Sequence, residues 1–292
     1  MNAIETRTLS KHFRDVAALD DVTLDLAEGR VHGLLGRNGA GKTTLMKLLT
    51  GQIFASSGEM RVLGGNPVEN PRVLTQTCFI QESQKYPDGF RPLDVLNIAE
   101  GLYPAWDQGL ARELVADFRL PEKRAIKKLS RGQLSAVGII VGLASRAPLT
   151  FFDEPYLGLD AVARRLFFDR LLADYSEHPR TVVLSTHHID EVSNLLEHVV
   201  LLDQGKVAIS AEIEELQNAA IEVSGRADEV RAHLVGAEVL HLQELGALAT
   251  ATVHAEPGSA DRARAAGLQV APVSLQNYIV HRTTAAATAP VT

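Results

Sequence analysis

Residues 1–27 alternate apolar and polar side chains in two stretches, Ile4–Leu9 and Val22–Leu26, and Glu28-Gly29 follows as a turn. A period of two puts every second side chain on one face, so the stretches read as a pair of half-buried strands. Val31–Leu35 is a short apolar run and reads as a buried strand. Gly36 to Gly41 is loop, and Thr43–Thr50 has helical spacing with Gly51 as its stop. Strand, glycine-rich loop and helix in that order open a βαβ unit.

The texture changes over residues 82–128. Pro87, Pro92, Pro104 and Pro121 punctuate helical stretches at Leu93–Glu100 and Gln108–Phe118, and Tyr86, Phe90, Tyr103 and Trp106 gather there. The pattern predicts a helical insertion. Strands return at Leu149–Asp153, Thr181–Ser185 and Val199–Asp203, with helices at Ala161–Tyr175 and Ile189–Leu196 between them. Strands alternating with helices predict a mainly parallel sheet. After Leu216 the apolar runs shorten to Ile221–Val223, Leu240–Leu242, Ala249–His254 and Leu268–Val273, with helical patterns over 226–235 and 259–266. This predicts a small α+β accessory domain over residues 217–282. Residues 283–292, rich in Ala, Thr and Pro, are expected to form a disordered tail.

Composition narrows the function classes. The 292 residues are 46% hydrophobic and 22% charged, which excludes disorder along the whole chain. Net charge is −7, so a nucleic-acid partner is not expected. Cys78 is the single cysteine, which excludes an intrachain disulfide and a cysteine-built zinc site. Gly132–Ser145 is a conspicuous uncharged stretch of 14 residues, short of the roughly 20 that a spanning helix needs. Residues 1–14 lack an apolar leader core, so no signal peptide is expected. The plain reading is a soluble protein of a reducing compartment.

Three segments carry chemistry. Gly36-Arg37-Asn38-Gly39-Ala40-Gly41-Lys42-Thr43 matches G-x-x-x-x-G-K-[ST]. Glycines let successive backbone N–H groups wrap a phosphate chain, and the helix that follows aims its positive end at the same place. Lys42 would contact the β- and γ-phosphates, and the Thr43 hydroxyl would take one Mg²⁺ position. Leu149–Asp153 then ends an apolar strand on adjacent carboxylates, Asp153 and Glu154. Ligands of open α/β sheets sit at such strand ends. Asp153 suits a Mg²⁺-linked carboxylate, and Glu154 a general base for water attacking the γ-phosphate.

The third segment, Leu129-Ser130-Arg131-Gly132-Gln133, resembles the LSGGQ signature of ATP-binding cassette (ABC) ATPases. Four features occur in that family's order. Gln81 follows the strand-like Thr77–Ile80, the signature comes next, Gly158-Leu159-Asp160 follows as a D-loop, and His187 closes Ser185-Thr186-His187 as a switch histidine. The resemblance covers about residues 1–215. It implies a P-loop α/β cassette over 1–216 with a helical subdomain at about 82–147. It implies ATP and Mg²⁺ as ligands and ATP hydrolysis as the activity. Catalytic roles fall to Lys42, Gln81, Glu154 and His187. Metal positions fall to Thr43, Gln81 and Asp153. Nucleotide contacts fall to residues 36–43, Thr44, Ser130, Gly132, Gln133 and Asp160, with Phe13 stacking on adenine. His188 is a bystander on this reading. A core role remains open for Phe13, and an N-terminal capping role for Ser130 and Gln133.

The family pattern further implies that two such chains, identical or homologous, close head-to-tail around two ATP molecules and drive a separate membrane permease. The chain would then lie at the cytoplasmic face of the membrane. Leu102–Asp107 and the short C-terminal part look most like bacterial efflux ATPases. Tyr86, Tyr103 and Trp106 would serve either as the permease contact or as a small helical core. The rival class is a soluble ABC ATPase working in translation or on DNA. Such proteins usually carry two cassettes or a long coiled-coil insertion, and neither is visible here. Three positions depart from the pattern: Arg131 for the first signature glycine, Tyr156 for a small residue after Asp-Glu-Pro, and the apolar run Leu134–Ser145.

Overall fold

The computed structural model describes residues 1–82, 84–186 and 189–288, with side chains through Arg282. His187 and His188 lie outside the described residues. In chain order the elements begin with β1 (Asn2–Phe13), β2 (Val16–Ala27), β3 (Val31–Leu35), α1 (Lys42–Leu49), β4 (Ser57–Val62), α2 (Pro71–Leu74) and β5 (Thr77–Gln81). Next come α3 (Pro92–Leu102), α4 (Gln108–Asp117), α5 (Arg131–Ala144), β6 (Leu149–Asp153), α6 (Ala161–Glu177), β7 (Thr181–Ser185), α7 (Ile189–Val192), β8 (His198–Asp203) and β9 (Lys206–Glu212). The chain closes with α8 (Ile213–Gln217), β10 (Ala220–Arg226), α9 (Ala227–His233), β11 (Val239–Leu245), β12 (Leu248–His254), α10 (Ser259–Ala265), β13 (Gln269–Pro272) and α11 (Leu275–Thr288).

Two compact units emerge, residues 1–187 with 195–210, and residues 188–194 with 211–292. In the first, a six-stranded sheet runs β5-β6-β7-β3-β8-β9. The β5–β6, β6–β7, β7–β3 and β3–β8 pairs are parallel. β3, β6 and β7 are buried along their whole length, as central strands of a covered parallel sheet are. A three-stranded antiparallel sheet, β2-β1-β4, joins it over a core that includes Leu19, Leu45, Met46, Leu149 and Phe151. Both β1 and β2 outrun the short stretches the alternation predicts. Register shifts in the β1–β2 pairing between Thr6 and Leu9, with Thr8 at φ +48°, break the period of two midway along β1.

The helical insertion holds α3, α4 and α5. α5 is the apolar helix that follows the signature, and its residues 136–144 are all buried. Its apolar run is thus the core of the insertion. A buried ionic cluster ties this part to the sheet core. Asp174 of α6 accepts from Arg180 at 2.5 Å and pairs with Arg146 at 3.2 Å, while Arg146 also reaches Asp107, the N-cap of α4, at 2.9 Å. Asp174→Ala is expected to lower stability by about 3–5 kcal/mol, because it leaves buried Arg180 without its carboxylate. At 2–4 °C per kcal/mol, the melting temperature should fall by on the order of 10 °C. Calorimetry of the full chain checks this.

The second unit is built on an antiparallel sheet ordered β11-β12-β10-β13, with α9 and α10 and a small core of Val223, Val230, Ala251, Val253, Ala263 and Leu268. Two local expectations change here. α7 ends at Val192 instead of Leu196, and the Ser193 hydroxyl donates to the Asp190 carbonyl, a local bond that competes with helix continuation. α11 runs on to Thr288, so part of the stretch expected as a disordered tail is helical; Ala285–Ala287 are the strongest helix formers. No helix among the described residues is long and apolar enough to cross a membrane.

Candidate functional site

Buried β3 delivers the chain to Gly36 at the carboxyl end of the sheet. The loop after it takes left-handed backbone at Gly36, Gly39 and Gly41, with φ of 145°, 85° and 106°. A side chain at Gly41 would also strike the Ala18 carbonyl, with its Cβ at 2.6 Å. Gly41 caps α1 with no side chain, so the first N–H groups of that helix face the loop uncapped. Such an end favours an anion. Arg37, Asn38, Gly39 and Thr43 are exposed, Thr44 is half-buried and Ala40 is buried.

Lys42 is 7% exposed. Its Nζ donates to Gly36 O at 2.7 Å and lies 3.5 Å from Glu154 Oε1. Thr43 Oγ1 donates to Asp153 Oδ2 at 2.6 Å. One turn of helix thus sets its cation against Glu154 and its hydroxyl against Asp153. Both carboxylates are buried, Asp153 as the last residue of interior strand β6 and Glu154 directly after it. Glu154 takes φ +47°, and its N–H donates to Ser185 O at 3.3 Å. The Thr43 hydroxyl with the Asp153 carboxylate is an all-oxygen pair, the donor type that Mg²⁺ accepts.

Gln81 ends β5 directly opposite Asp153 in register, and Asp153 in turn stands opposite Ser185. The three strand ends therefore line one edge. Gln81 Nε2 reaches Gln52 Oε1 at 3.5 Å. His187 follows Ser185 and Thr186 in sequence but lies outside the described residues. Phe13, at the end of β1, is 47% exposed with the Lys11 ammonium 4.9 Å from its ring centroid. It is therefore not a core aromatic.

The signature segment caps its own helix. Gln133 N–H donates to Ser130 Oγ at 3.2 Å, and Ser130 N–H donates to Gln133 Oε1 at 3.1 Å, a reciprocal capping box. Arg131 is exposed and its guanidinium meets Glu82, next to Gln81, at 2.6 Å. Gly132 packs on the 155–160 turn, and a Cβ there would sit 2.5 Å from Gly158 O. Ser135 Oγ donates to Leu157 O at 2.8 Å, and Asp160 caps α6 through Ala163 N–H. Signature and D-loop segments thus form one packed element, several residues from Glu154 along the chain. Gly132→Ala is expected to cut turnover by about tenfold or more while ATP binding to the chain's own phosphate loop holds, since small displacements of reacting groups carry large rate penalties. Separate measurements of kcat and nucleotide Kd check it.

Beside Gln81, a groove of ≈260 Å³ is lined by Phe79, Tyr86, Phe90, Ile98, Leu102 and Tyr103, among others. Tyr86 and Tyr103 are half-buried, and burial first of all pushes both phenols up, so both stay protonated. Trp106 donates to Gln108 at 3.0 Å. Tyr156 and Thr186 were not singled out as site residues by their motifs, yet they hydrogen-bond behind Glu154. The only sequence signal was the bulk of Tyr156 after Asp-Glu-Pro.

Known proteins resemble this chain in sequence and in fold. Residues 19–157 match the family described as ABC transporter. The chain is 28% identical over 220 residues to the ABC transporter ATP-binding protein YtrB of Bacillus subtilis, covering 75% of each. It is 31% identical over 216 residues to the ABC transporter ATP-binding protein MJ1023 of Methanocaldococcus jannaschii, covering 73% of this chain and 79% of that one. It is 30% identical over 224 residues to the daunorubicin/doxorubicin resistance ATP-binding protein DrrA of Streptomyces peucetius, covering 74% and 67%. Among solved structures, an ATP-binding subunit of an ABC transporter superposes with a TM-score of 0.66 at 24% identity, over 74% of this chain and 92% of that one. The cassette MJ0796, solved as a post-hydrolysis dimer with ADP and Pi, superposes with a TM-score of 0.63 at 21% identity, over 72% and 98%.

Proposed function

As this chain belongs to the ABC transporter family of ATP-binding proteins, we propose that it powers an exporter by binding and hydrolysing Mg-ATP between two cassettes. The observation that carries the site assignment is the double contact of α1 with β6, Lys42 to Glu154 and Thr43 to Asp153. Residues 36–43 and Thr44 hold the phosphates through N–H groups and the Lys42 ammonium, and Phe13 offers a ring face to the base. Thr43, Asp153 and Gln81 would hold Mg²⁺, which supplies charge neutralisation at the β- and γ-phosphates when bound. Glu154 accepts a proton from the attacking water, and Gln81 and His187 orient the reacting groups.

Ser130, Gly132, Gln133 and Asp160 sit far along the chain from the phosphate loop, on the signature and D-loop element. In the proposed assembly this element faces the nucleotide of a second cassette, identical or homologous. Each chain then completes its partner's site, and closure follows ATP because the γ-phosphate contacts exist only in the closed state. The cassette spans 1–216 with its helical subdomain near 82–147, and 217–282 form an accessory domain. The membrane permease docks on the helical subdomain beside Gln81, at the groove edged by exposed Ile98 and Leu102. On this reading the chain works at the cytoplasmic face of the membrane. The efflux assignment leans on the likeness to DrrA, a drug-resistance ATP-binding protein.

Co-purification from native membranes tests this reading. Recovery with a polytopic membrane protein is the expected result. Recovery with ribosomes alone would overturn it in favour of a soluble ABC ATPase.

A further inference from the structure

Tyr156 stands two residues after Glu154 and is 1% exposed, among the largest fully buried side chains of the molecule. Its ring packs on Phe168 of α6 with centroids 5.6 Å apart. Its phenol oxygen lies 2.5 Å from Thr186 Oγ1. Thr186 is itself fully buried and is joined by one peptide bond to His187. A second hydrogen bond runs beside this one, from Glu154 N–H to Ser185 O. Residues 154–156 are therefore clipped at both ends to residues 185–186.

At the first of these clips Glu154 holds left-handed backbone, φ +47°, which a residue with a Cβ avoids. Such a conformation persists where the surroundings over-determine it, and at functional sites it serves to aim a side chain. Here it accompanies the carboxylate's approach to Lys42, at 3.5 Å. Tyr156 also closes the next turn, since its carbonyl accepts from Leu159 N–H at 3.0 Å. That turn carries Gly158, the residue packed on Gly132 of the signature helix. Tyr156 thus joins the segment bearing Glu154 to the end of β7 through its side chain, and to the turn beneath the signature through its carbonyl.

We infer that Tyr156 is a positioning residue for hydrolysis, whose phenol holds the Glu154 turn in register with the end of β7. The inference rests on the reading of Glu154 as general base. It separates what the ring does, which is to fill the core against Phe168, from what the hydroxyl does, which is to fix the two segments.

The test uses Tyr156→Phe, Thr186→Val and the double variant in the full chain, with melting temperature, kcat and ATP Kd measured for each. Either single change keeps the shape but takes the mutual hydrogen bond from a buried hydroxyl, and lowers the melting temperature. The double change removes both hydroxyls at once, and its difference from the sum of the single changes reads the bond between them. A positioning role predicts that kcat falls about tenfold in each single variant, stays equally low in the double, and leaves ATP Kd within about twofold throughout. Parental kcat in Tyr156→Phe, or a kcat that recovers with stability in the double variant, overturns the inference. A wild-type chain that binds Mg-ATP without turning it over overturns the reading of Glu154, and this inference with it. Failure of the variants alone leaves that reading standing.

Discussion

Lys42→Ala abolishes ATP binding at ordinary working concentrations, with affinity falling on the order of a hundredfold or more. Removing one partner of a buried, hydrogen-bonded charge pair costs about 2–5 kcal/mol, and each 1.4 kcal/mol is a factor of ten. Lys42 meets the conditions for the upper part of that range. Its ammonium is buried and held by the Gly36 carbonyl at 2.7 Å, within the loop proposed to receive the phosphates. The lysine also offsets the buried Glu154 carboxylate, 3.5 Å away, so its loss leaves that carboxylate facing a triphosphate with less positive charge to balance it. Equilibrium binding of ATP to the full chain measures the effect. Lys42→Ala that binds ATP as the parent does would mean that the phosphate chain lies elsewhere.

Glu154→Gln has the second large effect. The amide keeps the size of the carboxylate and much of its hydrogen bonding, but it cannot take up a proton. General-base catalysis contributes about 10²–10⁴-fold, so kcat is expected to fall by that factor. ATP affinity holds or rises, because a negative charge next to Lys42 is removed and repulsion of the γ-phosphate falls with it. Intact ATP should then remain on the protein, and the closed pair of cassettes should persist. Sedimentation is expected to show twice the chain's mass with ATP and the single chain with ADP.

The phosphate loop and the Asp-Glu strand end were legible in the sequence because each is a local pattern. Strand, glycines and helix are contiguous over 31–50, and the buried run Leu149–Asp153 announces a central strand whose end must meet any ligand of the sheet. The family order of Gln81, Ser130 and Asp160 is also a matter of sequence. What escaped depends on contacts between distant segments. Tyr156 read only as a bulky departure from the small residue after Asp-Glu-Pro, yet it points inward to Thr186, thirty residues away. Arg131 read only as a departure from the signature glycine, and the structure pairs it with Glu82, next to Gln81. The apolar character of Leu134–Ser145 became intelligible only when the helix was seen packed as the core of the insertion. The strand ends of β1 were hidden by a bulge that breaks the alternation on which strand reading depends.

The central claim is that Glu154 activates water against ATP held by residues 36–43. The most direct measurement is the initial rate of phosphate release from saturating Mg-ATP by the purified full chain, wild type beside Glu154→Gln, with bound ATP quantified in both. Turnover in the wild type and a fall of about 10²–10⁴-fold in a variant still loaded with ATP is the predicted result. Equal rates from two equally loaded proteins would contradict it.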